Sequence, residues 1–538
     1  MSKQKTTRNS GFTTKQIWLL VTVLFVILTA VLAALFYLHI EDITKNRITD
    51  LINEKLAPSA EIEIDEFDIS YYPLGATLRG IRLIHRIPFE ENIPERNADA
   101  IRKLEISEIS ISDIKIFRLL FGDRWRIDRI DIDGLHVELT PFPSKDQEES
   151  DVAITRPDIR INQLRLADGQ VSYYRERLTE DTAASVSDIY IVADRFVVPE
   201  AGSPIHAFFD DIILETSAIT YSLDNGDYEL EAETFVLNSR DGILQIVGGK
   251  SNPLKTAAEM ALEAGQPKDK FTGSFDEFLA EGVIIEDLLA REDFYSKSVR
   301  LTKPGIAIRR DRTFPRPERE DRMLPAVQFK NLPFPVSVDS LIVTDGYISY
   351  GEEYMEEDRE GVISFYNIEM AVNRLNNRLT DDSITVDIHA RFMDLTPLRM
   401  KAEFAMDEKG THRVEGRLGE LDLTVMNPTI EGFLSMRVRS GIARSIDFVF
   451  QADDDQSNGM LIFIYDDLEV RFLQAETLRE RRRDRFRSFI ANRFVVRSNN
   501  PAENPRNATI EYERDKQRSM FNYWWRSISD GLLESIRR

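Results

Sequence analysis

The chain contains no cysteine, which excludes disulfide staples, thiolate metal sites and cysteine nucleophiles. Its histidines, His39, His85, His136, His206, His389 and His412, show no HxxxH or HxH spacing, so no metal cluster is visible. Positive charge is in deficit: 69 Lys and Arg face 92 Asp and Glu, for a formal net charge of −23. A phosphate backbone is repelled by such a field, which argues against a nucleic-acid partner. No GxSxG nucleophile elbow and no GxGxxG fingerprint occurs. The fragment GGKSNP around Lys250 has Leu244 where a phosphate-binding loop needs glycine, and reads as a turn. Asp453-Asp454-Asp455, between two strand patterns, reads as a solvated hairpin loop. The expectation is a protein that is not an enzyme, with no catalytic residue, cofactor or metal site.

What the chain does have is one long apolar run. From Ile17 to Leu38 there are twenty-two residues without a formal charge, and a helix of that length is about 33 Å long, enough to cross a hydrocarbon core. Lys3, Lys5, Arg8 and Lys15 precede it and Glu41 and Asp42 follow it, so the positive-inside rule puts the N-terminus in the cytoplasm. A cleaved signal peptide ending near Val31-Leu32-Ala33 is the competing reading. The run exceeds a signal h-region and continues through Leu35-Phe36-Tyr37-Leu38, so an uncleaved anchor is expected. ITKNRITDLINEKLAP, ending at Pro58, then spaces Ile48, Leu51, Ile52 and Leu56 as a juxtamembrane helix.

From Glu61 the apolar period falls to two. Ile62 and Ile64, then Phe67, Ile69 and Tyr71, alternate with acidic and polar residues as half-buried strands do. In LEISEISISDIKI the apolar positions Leu104, Ile106, Ile109, Ile111, Ile114 and Ile116 are spaced two, three, two, three, two. A helix needs threes and fours. Strands whose inward face is reset at bulges fit instead. SVSDIYIVADRFVV, DDIILETSAITYSL, DYELEAETFVL and DGILQIVGG continue in kind, as do LRMKAEFAM, SGIARSIDFVFQAD and GMLIFIYDDLEVRFL later on. A mainly antiparallel β protein follows.

One phrase occurs twice. Ile161 to Tyr173 reads INQLRLADGQVSY and Val338 to Tyr350 reads VDSLIVTDGYISY, with Leu164, Asp168, Gly169, Ser172 and Tyr173 recurring in register. A shorter version surrounds Gly134. The phrase reads as a strand-turn-strand unit with an Asp-Gly tight turn, and repeated units of this kind stack into one curved sheet with an apolar concave face.

Helical signals interrupt the strands. NPLKTAAEMALEAG has an Asn252 cap and a terminal Gly265, and SFDEFLAEGVIIEDLLARE places an acidic residue three after Ser274, as a capping box does. RRDRTFPRPEREDRMLP is a Pro- and Arg-rich connector. Arg479, Arg481, Arg482, Arg483, Arg485 and Arg487 form a basic run. Beyond it, Phe521, Trp524, Trp525, Ile528 and Leu532 belong to a basic amphipathic helix. Such a helix suits a membrane interface, or equally a cap on the open end of the β structure.

FDISYYPLGATLRGIRL and LEISEISISDIKIFRLLFGDRWRIDRIDIDGLHVEL resemble the N-terminal part of AsmA-like envelope proteins of Gram-negative bacteria. IAIRRDRTFP, VDSLIVTDGYISYGEE, GMLIFIYDDLEV and IEYERDKQRSMFNYWWRSISDGL are similar to further proteins of AsmA-like architecture. The resemblance implies a single-pass inner-membrane protein with a periplasmic β-rich body, related to bridge-like lipid-transfer proteins such as TamB. It also implies a part in phospholipid traffic and outer-membrane assembly, with membrane phospholipids and an envelope protein or the outer membrane as partners. It brings no catalytic residues. The organisation expected is a cytoplasmic stretch 1–16, a membrane span 17–38 and a juxtamembrane helix 39–60. A first β-rich region follows over 61–310, with a helical insertion near 252–292. A connector 311–332, a second β-rich region 333–474 and an amphipathic tail 475–538 complete it. Candidate groove-lining residues are Leu164, Leu166, Val171, Leu341, Val343 and Ile348.

Overall fold

A computed structural model describes residues 60–537, apart from 72–73, 86–99, 113–123, 142–157, 198–204, 224–225, 267, 291, 312–320, 354–359, 380–381, 435 and 473–495. The expected membrane span, the juxtamembrane helix, the Arg479–Arg487 run and the middle of the connector lie outside these residues. No helix among the described residues is long and apolar enough to cross a membrane. The chain is mainly β, and its described strands join a single mixed sheet of 21 strands. Two compact units are distinguished: residues 1–249 with 283–291, and residues 250–282 with 292–538.

The first unit carries β1 (Ala60–Tyr71), β2 (Leu74–His85), β3 (Ile101–Ser112), β4 (Arg124–Leu139), β5 (Asp158–Tyr174), β6 (Thr182–Val197), β7 (Asp211–Ser222), β8 (Tyr228–Asn238) and the start of β9 (Ile243–Pro253). Strands adjacent in sequence are adjacent in the sheet. From β1 to β8 successive strands pair antiparallel, except β4 and β5, which run parallel.

The expected resetting of the inward face is real, and the steps line up. In β3 the buried residues are Ile101, Leu104, Ile106, Ile109 and Ile111. Each of the first five strands takes a three-residue step between inward residues at a matching place: Ile64 to Phe67, Leu78 to Ile81, Ile106 to Ile109, Ile132 to Leu135 and Leu166 to Gly169. The registers place these steps side by side. A three-residue step leaves two consecutive residues on the outer face, so one of them needs an unusual backbone. Gly80 (φ 64°), Gly134 (φ 67°), Asp168 (φ 51°), Asp188 (φ 48°), Ala218 (φ 46°) and Gly248 (φ 66°) supply it in β2, β4, β5, β6, β7 and β9. The result is a transverse seam of left-handed residues that keeps one face apolar along the whole strand length. The inward residues of β1–β6, together with Phe208, form one buried cluster. The outward face carries exposed ion-pair ladders. Arg79 bonds Asp68 at 2.9 Å and Glu108 at 2.8 Å, and Arg82 bonds Asp65 at 2.6 Å. Exposed pairs of this kind add little stability.

The second unit contains α1 (Ala257–Ala264), β10 (Asp269–Glu281), β11 (Phe294–Thr302), β12 (Gly305–Asp311), α3 (Pro325–Lys330), β13 (Val336–Glu353), β14 (Glu360–Asn376), β15 (Ser383–Phe392), β16 (Thr396–Ala405) and β17 (His412–Leu418). It continues with β18 (Leu421–Asp422), α4 (Asn427–Leu434), β19 (Met436–Ala452), β20 (Gln456–Phe472), β21 (Asn507–Glu513) and α5 (Met520–Ile536). The short helix α2 (Ile285–Ala290) belongs to the first unit. β11 and β12 are successive parts of one line: both pair with β10 antiparallel and with β13 parallel. Proline 304 between them has no N–H to give a ladder. Its carbonyl accepts from Tyr347 N at 2.7 Å and keeps the line continuous.

Several expectations are corrected. The Asp-Gly pairs of the repeated phrase make no hairpin turn. Both lie inside unbroken strands, where Asp168 and Asp345 (φ 51° and 53°) are bulge residues. The sheet is not wholly antiparallel, since each copy of the phrase begins a strand that runs parallel to the one before it. SFDEFLAE is strand, not helix: Ser274 pairs with Gly305, and Glu277–Glu281 pair with Ser298–Thr302, so ladder bonds override the local capping signal. Asn252 lies within β9, and the cap of α1 is Thr256, which forms a capping box with Glu259. Gly265 closes the helix at φ 63° as expected. GGKSNP is part of β9 and not a turn, with Gly248 left-handed within the strand.

Candidate functional site

The two copies of the phrase extend into a duplicated three-strand group. Ile161, Leu164, Leu166, Gly169, Val171 and Tyr173 of β5 correspond to Val338, Leu341, Val343, Gly346, Ile348 and Tyr350 of β13. The next strand repeats too: Asp188 and Arg195 of β6, both left-handed, match left-handed Asn367 and Arg374 of β14. The preceding strands also match. Ile127 pairs with Ile161 and Val137 with Val171, as Ser296 pairs with Val338 and Ile306 with Ile348.

Equivalent places differ in what covers them. In the first copy Leu166 is 5% exposed and Val137 3%, while Leu164 and Val171 pack half-buried against the core. In the second copy Val343 is buried, and Leu341 packs beside Phe329 of α3 on a small cluster around Val372. Ile348, however, is 40% exposed and its partner Ile306 is 42% exposed. Directly paired residues share a face, so the two isoleucines form an apolar strip on the inward face. Phe271, which pairs with Ile308 one row along, is exposed beside them. Of the six candidate lining residues, then, the structure leaves Ile348 open. Ile306 and Phe271 join it without having been singled out, although the alternation of IAIRRD places Ile306 and Ile308 on one face.

The strip ends beneath α5. Phe521, in the first turn of that helix, has its ring 6.2 Å from both Tyr350 and Phe365. Phe365 pairs with Ile348 across β13 and β14. Trp524, Trp525, Ile528 and Leu532 are partly buried against the cluster of β16–β21 side chains. Ser527, Gly531 and Ser535 bring the helix close, since a Cβ on Gly531 would stand 2.9 Å from Leu461 and Ile510. Ser457 and Ser527 share a hydrogen bond of 2.7 Å, and Trp524 Nε1 donates to His412 Nε2 at 2.9 Å.

The approach to α5 is pinned electrostatically. Asp453-Asp454-Asp455 is the turn of the β19–β20 hairpin, as expected, but it is engaged and not merely solvated. Asp454 pairs with buried Arg514, and Lys516 lies 2.8 Å from both Asp454 and Asp455. Lys516 holds the Asp455 carboxyl below the usual carboxylate range. Arg514 also donates to the Arg322 carbonyl, tying the end of the connector to this corner.

His85 Nε2 lies 3.0 Å from the Arg102 carbonyl, and His136 is 3.6 Å from Glu138. Among the described residues no group of three or more His, Asp or Glu could hold a metal ion. Compared with protein-family models and with curated proteins, the chain matches none.

Proposed function

We propose that this chain is an AsmA-like protein anchored in the inner membrane by residues 17–38, with its body in the periplasm. On this reading the apolar inward face shelters phospholipid acyl chains during passage between membranes and so assists outer-membrane biogenesis. The observation that carries the reading is the Ile306–Ile348 strip, exposed at 42% and 40% where the equivalent Val137 is buried at 3%. Full burial of such a side chain is worth about 1.5–3 kcal/mol; at this exposure each isoleucine forgoes a fraction of that, and an acyl chain laid along the strip recovers part of it. Further support comes from the three-residue steps, which hold the face apolar past each bulge, and from the resemblance of the anchor and of the repeated segments to that architecture. The reading needs no catalytic residue and no cofactor.

The test is lipid extraction and mass spectrometry on the full-length chain, purified as wild type and as Ile306→Asp/Ile348→Asp. Co-purifying phospholipid in the wild type that disappears from a folded variant supports the proposal. Equal lipid in both, or none in either, refutes it.

A structural or adaptor role in the envelope is the second reading. It is favoured by the first unit, where the same face is filled by its own buried side chains, Ile130, Ile132 and Leu135 among them.

A further inference from the structure

We propose that His412 is a proton-sensitive latch that holds the N-terminal half of α5 on the sheet. The indole Nε1 of Trp524 can only donate, so His412 Nε2, at 2.9 Å, must accept and carry no proton. The ring proton therefore sits on Nδ1, which donates to the Gly410 carbonyl at 2.7 Å. Both nitrogens are committed. A proton added at Nε2 would face the indole N–H, and the contact between the two side chains would have to open.

The surroundings leave the imidazole no other place to turn. Its ring is stacked on Phe404 at 5.4 Å and meets the edge of Tyr523 at 6.4 Å. Phe450 stands edge-on to Trp524 at 6.5 Å. The charged groups that face it are Asp407 from the β16–β17 turn, Asp453 from the β19–β20 turn and Arg514 from the end of β21. The two carboxylates favour an imidazolium, whereas Arg514 and above all burial oppose it, so the group titrates below its ordinary value of 6.5.

The sign follows. A basic group with a depressed folded value contributes stability that is complete above 6.5 and declines as pH falls below it, because the open form binds the proton more readily. In that window each pH unit shifts the closed-to-open equilibrium by up to about tenfold. The C-terminal half of α5 has its own ties, with Arg497 N donating to the Ile536 carbonyl at 3.0 Å. Opening is therefore confined to the turns around Phe521–Ser527. Those turns lie where Phe521 covers Tyr350 and Phe365 at the end of the apolar strip, so protonation would lengthen the exposed strip. The latch does not depend on the lipid reading.

Hydrogen exchange on the full-length chain tests it, from about pH 8 to about pH 5, with rates corrected for intrinsic chemistry. Protection of residues 520–528 is expected to fall by up to about tenfold per pH unit below 6.5. Residues 529–536 and the β5–β6 amides should hold level, and His412→Phe should flatten the profile. A flat wild-type profile, a fall shared with β5–β6, or a slope that survives in His412→Phe overturns the proposal. Should His412→Phe fail to fold, the wild-type comparison of the three regions still decides.

Discussion

Replacing Gly134 by alanine tests whether the seam is packed across strands or is only a run of local conformations. Gly134 has φ 67°, and a Cβ there would stand 2.8 Å from Ser107 Cβ and closer still to its Oγ. The hydroxyl can rotate away, but Ser107 Cβ is fixed to β3 and moves only with the strand. Left-handed strain costs about 1–2 kcal/mol for a residue with a Cβ, and the overpacking adds about 1–3 kcal/mol. The sum is about 2–5 kcal/mol. Gly265 is the control, since it has a similar φ of 63° but nothing within 4 Å of its would-be Cβ. Its alanine variant should lose only the strain, about 1–2 kcal/mol. Hydrogen exchange read on the β3–β5 amides should accelerate about thirtyfold or more in Gly134→Ala. Adding Ser107→Gly should restore the overpacking part, visible as a coupling of about 1–3 kcal/mol in the double-mutant cycle. Equal losses at Gly134 and Gly265, or a coupling near zero, would refute a cross-strand seam.

Two further outcomes are expected. Thr256→Ala removes the side-chain cap on α1 and should cost about 1 kcal/mol, read as faster exchange of the Ala257–Met260 amides, whereas Thr256→Ser should restore most of it. Lys516→Met should alter acid sensitivity. Asp455 has a depressed folded value through Lys516, so it contributes stability above the ordinary carboxylate range that is lost as pH falls through the folded value. The variant should lose that acid-dependent component, measured as a shallower dependence of Tm on pH below about 4.

Much of the fold is written in periodicity. The two-three-two spacing of Leu104, Ile106, Ile109 and Ile111 required bulged strands, because no other backbone puts all four side chains on one face. What periodicity could not convey is the partner. Asp-Gly serves a two-residue turn and a bulge equally well. At Asp168 the outcome is decided by β4, whose Asp133 lies opposite Ala167 in parallel register. Ser274–Glu281 carried a helix-start signal, but its ladder to Ser298–Thr302 lies some twenty residues away and leaves no local trace. The site was legible to the same depth. Ile348 stood out in the repeat, yet its equivalent Val171 is half-buried, since exposure depends on what packs above a face and not on the face itself. Ile306 went unnoticed because β12 has only seven residues, too few for a persuasive pattern.

The near-serial strand order bears on how the chain acquires its shape. Contacts between neighbours in sequence are cheap to form, so each strand that emerges finds its template already in place. Two joins break this rule. β5 adds in parallel to β4, and β13 in parallel to β11 and β12, which a tight hairpin cannot do. Until β5 or β13 is in place, the growing sheet ends in an open edge, the form of β structure most prone to pair with the wrong chain. The repeated phrase thus stands in both strands that add in parallel. Its six inward residues give each late arrival a strongly marked register with which to close the edge.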